Sequence, residues 1–171
     1  VLAKGITSNI VFSGAGDGMI VKWDLTHPDQ GELIAKLDNS IYAIHYHSLS
    51  NVLVVGHNYD GIHYLDWENK KEIKSIYIGK STIFDIKSIG NLLLIGLDSG
   101  EVVIVDSEMN TIINRLNFSS KSARTIAIHP YKNEFAVGYS DHAIRIYSSE
   151  DFSLKSTLNG HSNSVFTVKY S

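Results

Sequence analysis

Four side chains suited to gripping another molecule recur at a fixed interval. Tyr42, Phe84, Arg124 and Phe166 stand 42, 40 and 42 residues apart, within SIYAIHY, TIFDIK, SARTIAI and SVFTVKY. Aromatic rings and guanidinium groups dominate the binding energy of protein interfaces, because they join a large desolvated area to directed polar contacts. The chemistry on offer is recognition rather than bond-making. The competing reading is that each of the four simply packs against a neighbouring sheet.

Eight histidines raise the question of a metal. His45 and His47 lie two apart on an alternating stretch and share a face, and two imidazoles with a carboxylate can hold zinc or iron. No third ligand stands at a recognisable spacing from that pair, so neither metal nor cofactor is expected. Catalysis has no better footing: the chain has no GxSxG, no HExxH, no phosphate loop and no cysteine. The glycines of GAGDG (14–18) fit a hairpin turn, since a nucleotide loop would open a helix and MIVKWD, which follows, has the composition of a strand. The chain is therefore not expected to be an enzyme.

The elements that would position these residues repeat with the same beat. Glycines at 14, 56, 96 and 138 each close an apolar run, and ten residues later a second run ends at Asp24, Asp66, Asp106 and Ser148. The first copy, SGAGDGMIVKWD, is an apolar run, a tight turn on Asp17 and Gly18, and a second run, which predicts a β-hairpin. Each unit adds two more strand-like stretches, such as Glu72 to Ile78 and Thr82 to Lys87, and no window has helical periodicity. The fold class is all-β, with four short strands per unit over residues 1–171 and a chain end, Ser164 to Ser171, that reads as the first strand of a further repeat. Ile20, Ile62, Val102 and Ile144 stand an odd number of residues from Trp23, Leu65, Val105 and Tyr147 on the same strand, so both faces carry apolar side chains. A sheet of that kind needs cover on each side, as a ring of blades provides.

Composition narrows the partners. At 43% hydrophobic and 19% charged residues the chain is globular in type, and a net charge of -3 supplies no basic footprint for nucleic acid or anionic lipid. The apolar runs fall far short of the roughly 20 residues needed to span a bilayer as a helix, so no membrane role is expected and the setting is read as cytoplasmic.

These landmarks resemble the WD40 repeat, a unit of about 40 to 45 residues with Gly-His near its start and Trp-Asp near its end. Trp23 and Asp24 supply one intact Trp-Asp; Leu65–Asp66 and Val105–Asp106 keep the acid; Tyr147–Ser148 keeps aromatic character; Gly160–His161 supplies the one Gly-His. The resemblance implies a β-propeller of four-stranded antiparallel blades, about four present of a ring of about seven, so that further blades or a second chain would be needed for closure. It also implies a hydrogen-bonded set of histidine, hydroxyl, turn aspartate and tryptophan in each blade. Asp17, Asp141 and Ser13 match parts of that set, Tyr59 and Ser99 replace the aspartate in the other two units, and no complete set can be assembled. The same resemblance places Tyr42, Phe84, Arg124 and Phe166 on the rim of the central opening, with Tyr59, Tyr139, His57, His142 and Lys121 in loops on that face. The function it implies is a non-catalytic scaffold that binds a protein or peptide through one face, the alternative being a propeller enzyme or metal-dependent hydrolase with its site at the channel.

Overall fold

The computed structural model describes residues 1–171 and consists of sixteen strands with no helix, so no helix is long and apolar enough to cross a membrane. Consecutive groups of four make four antiparallel sheets, each with its strands in chain order. The first holds β1 (Leu2–Lys4), β2 (Ile10–Gly14), β3 (Met19–Asp24) and β4 (Gly31–Lys36); the second, β5 (Ile44–His47), β6 (Val52–His57), β7 (Gly61–Asp66) and β8 (Lys71–Tyr77). The third holds β9 (Ile83–Ile89), β10 (Leu92–Leu97), β11 (Val102–Asp106) and β12 (Thr111–Leu116); the fourth, β13 (Ala123–Ile128), β14 (Glu134–Tyr139), β15 (Ile144–Ser148) and β16 (Leu154–Leu158). The chain divides into two units, Val1–Ile83 and Phe84–Ser171.

Each unit has its own apolar core. In the first, Phe12, Ile20, Ile41, Leu53, Val55 and Leu65 are buried together, with the Phe12 ring stacked on Tyr46 at 6.3 Å and edge-on to Trp67 at 5.5 Å. In the second, Leu94, Val102, Ile104, Phe135, Val137 and Tyr147 pack together, with Phe135 stacked on Tyr147 at 5.2 Å. In β7 and β11 every residue but the terminal aspartate is buried, as a strand covered on both faces requires. β3 and β15 are covered less completely, and Trp23 and Ile144 stay half-exposed.

The four landmark glycines have a steric origin. A side chain at Gly14 would strike Ile41 (2.6 Å), at Gly56 Ile83 (2.8 Å), at Gly96 the Ala123 carbonyl (2.7 Å) and at Gly138 Val165 (2.7 Å). Each glycine is thus the floor on which the residue just before the recurring Tyr42, Phe84, Arg124 or Phe166 is seated, and all four seated residues are buried. Side chains alternate along extended backbone, so burying Ile41, Ile83, Ala123 and Val165 turns the next residue the other way. Burying one isoleucine in this way contributes about 1.5–3 kcal/mol.

Backbone bonds fix the same junctions. The Ile41 N–H donates to the Ala15 carbonyl at 3.0 Å and that of Val165 to the Tyr139 carbonyl at 3.0 Å. At the second sheet a buried side chain serves instead: Asn58 donates to the Ser40 carbonyl at 2.8 Å and accepts from the Ile83 N–H at 3.1 Å.

One expected strand is not formed. Residues 159–171 lie outside any ladder: the bond from the Val165 N–H to the Tyr139 carbonyl at the end of β14 is not continued into the run of paired bonds that makes a strand. Its Val165 nevertheless takes the seat over Gly138 that Ile41 takes over Gly14.

Candidate binding site

In the second unit three of the recurring residues meet. The Arg124 guanidinium lies 4.4 Å from the centre of the Phe84 ring and 5.3 Å from that of Phe166, close enough to both π-faces for cation–π attraction. Its Nε donates to the Ser140 hydroxyl at 2.8 Å, which fixes the plane of the fork. Arg124 stands at a register shift between Ala123 and Thr125 of β13, and a bulge of this kind re-aims a side chain away from the ladder. Asp85, the next residue after Phe84, accepts from the Ile126 N–H at 2.7 Å and pairs with Lys87. That leaves Arg124 stacked, oriented and without a carboxylate at ion-pair distance. Phe166 is 68% exposed and covers one edge of the stack.

The remaining predicted residues separate. Tyr42 is half-exposed just ahead of β5, and Tyr59 is exposed at the β6–β7 turn with φ 67°; both belong to the first unit. His142 and Lys121 are exposed in the second. Tyr139 is a correction: it is fully buried, and its hydroxyl shares a 2.7 Å hydrogen bond with that of Tyr147. Burial pushes both phenols up from their ordinary pKa, so Tyr139 is a core residue with a satisfied hydroxyl and offers nothing to a partner. It ends β14, where alternation turns it inward.

Fragments of the blade network are present. Trp23 Nε1 donates to the Ser13 hydroxyl at 2.9 Å, and Asp17 accepts the Met19 N–H at 2.9 Å across the β2–β3 turn. At the β14–β15 turn, Asp141 accepts from the Ser119 hydroxyl at 2.8 Å and pairs with Arg145 at 2.8 Å. Burial alone would raise the Asp141 carboxyl, but the Ser119 and Arg145 donors outweigh it and hold it below its ordinary value.

The β6–β7 hairpin holds a cluster that the sequence reading passed over. His57, at the end of β6, and His63, in β7, sit diagonally on one face with Asp60 at the turn between them. His57 Nδ1 lies 3.2 Å from His63 Nε2. The Asp60 carboxylate is 3.1 Å from His63 Nε2 and 3.5 Å from His57 Nδ1. Glu72 on β8 receives the other ring nitrogen of His63 at 2.8 Å. The available signal was HNYDGIH, ligand types three apart across a turn. The strand pair His45 and His47 has ring centres 6.5 Å apart, and His47 bonds Ser50 instead.

No protein-family model and no curated protein sequence matches the chain. Solved structures do. One, a chain from the crystal structure of a mitotic checkpoint complex, superposes with a TM-score of 0.87 over 97% of this chain at 17% identity. This chain spans about half the length of that one, 51%. Some 1365 solved chains match in fold, too broad a set to carry a function with it. What the likeness establishes, together with four antiparallel sheets of four strands each, is the fold alone: each sheet is a four-stranded antiparallel blade of the β-propeller type.

Proposed function

We propose that the chain is a non-catalytic propeller scaffold that holds a protein or peptide partner on the Phe84–Arg124–Phe166 stack. The observation that carries this reading is an oriented guanidinium within reach of two rings and with no acidic partner of its own. A stacked arginine whose fork is already aimed loses little freedom on meeting a carboxylate, and a two-point Arg–carboxylate contact is among the stronger charge-assisted pairs. The partner this fits is a peptide segment bearing Asp, Glu or a free C-terminus, its apolar flank lying on Phe166. Tyr42 and Tyr59 are further exposed aromatic anchors on the first unit. The cytoplasm is the expected compartment, which imaging of a tagged chain would check.

The test is selection from a displayed random-peptide library on the purified chain, with Arg124→Ala as the counter-selection. The expected result is enrichment of acidic peptides whose binding disappears on the variant. Enrichment of peptides without acidic residues, or of peptides that hold both proteins equally, would overturn the reading.

A further inference from the structure

The His57–Asp60–His63 cluster is the strongest chemistry in the molecule that the recognition reading leaves unused. We propose that these three residues hold a first-row divalent cation, zinc the best fit, with Glu72 positioning His63 behind them.

Geometry is the first support. Zinc takes imidazole nitrogen and carboxylate oxygen at about 2.0–2.2 Å in a tetrahedron, so two of its ligand atoms stand about 3.3–3.5 Å apart. The three separations here are 3.2, 3.1 and 3.5 Å, which leaves one point near bonding distance from all three atoms. The fourth corner opens towards solvent beside Asp60, whose side chain is 53% exposed, whereas those of His57 and His63 are 17% and 11% exposed.

Charge and orientation are the second. Two neutral imidazoles with the Asp60 and Glu72 carboxylates carry two negative charges, which a divalent cation balances. A metal-bound histidine commonly gives its remaining ring N–H to a carboxylate, which fixes its tautomer and orientation, and the 2.8 Å contact of His63 Nδ1 with Glu72 is that arrangement. Two nitrogens and one oxygen favour zinc, cobalt, nickel or copper over magnesium and calcium, which want oxygen throughout. The competing occupant is a proton: a doubly protonated His63 could donate to Glu72 and Asp60 with no metal present.

The experiment is a Co²⁺ titration of the purified, chelator-stripped protein, followed by displacement with Zn²⁺. The expected result is one Co²⁺ per chain with the intense visible bands of a tetrahedral site, lost on adding one equivalent of Zn²⁺. His57→Gln and Asp60→Asn should each weaken binding by about 100-fold or more, and Glu72→Gln by about 10- to 100-fold. His45→Gln with His47→Gln should leave it unchanged. Absence of the cobalt bands in the wild-type protein would assign the cluster to a proton and overturn the proposal. So would binding that survives His57→Gln or vanishes in the His45/His47 double variant.

Discussion

The β6–β7 and β14–β15 hairpins occupy the same place in their repeats and settle their charge in different ways. Arg145 and His63 each stand seven residues after the landmark glycine. In the later hairpin the cation is part of the chain: the Arg145 guanidinium pairs with Asp141, and Ser119 and the Ala143 N–H fill the remaining acceptor sites. In the earlier one the position holds an imidazole, and the carboxylates of Asp60 and Glu72 converge on it with no lysine or arginine at ion-pair distance from either. One scaffold position thus serves as a closed structural tie in one blade and as an open donor set in another. The β-hairpin fixes where the side chain stands, and the residue type decides whether the site is complete without a ligand.

The closed tie should be the more sensitive to deletion. Asp141→Ala leaves the Arg145 charge, only 15% exposed, and the Ser119 hydroxyl without their acceptor, and should lower stability by about 3 kcal/mol in chemical denaturation. The open set should instead respond to what is added. Zinc at a hundredfold excess over its Kd should raise stability by about 2.7 kcal/mol, and His63→Arg, which builds the cation into the chain as at Arg145, should abolish that increment in thermal melts with and without zinc. A smaller effect follows from acid. The Asp141 carboxyl is held below its ordinary value in the folded chain, so its contribution is fully present above its unfolded value of about 3.9 and is lost as pH falls through the lower, folded one. Asp141→Asn should remove that part of the acid sensitivity, read as a flatter dependence of the melting temperature on pH below about 4.

The repeat and the strands were legible because their causes are local: turn residues, alternating apolar runs, and glycines that recur because a neighbouring residue is seated on each. Phe84 and Arg124 were legible for the same reason, since burial of Ile83 and Ala123 forces the next side chain the other way. What the chain order hid was assembly across strands. That Phe84 and Phe166, 82 residues apart, both approach one arginine depends on the packing of separate inner segments. The metal-type cluster needs a turn to fold His57 back towards His63, and Glu72 joins it from a third strand. Tyr139 was misread because a residue at a strand end looks like a loop residue in sequence, whereas its partner Tyr147 lies beside it only after β14 and β15 pair.

Arg124 is where recognition and structure can be told apart most cleanly. Titration calorimetry of a selected acidic peptide into wild type and Arg124→Ala, with a melting curve of each, is the direct test. Affinity should fall about tenfold or more while stability stays within about 0.5 kcal/mol of wild type. Equal affinities, or a stability loss of several kcal/mol in the variant, would show that the guanidinium stack holds the sheet together and leaves binding to some other surface.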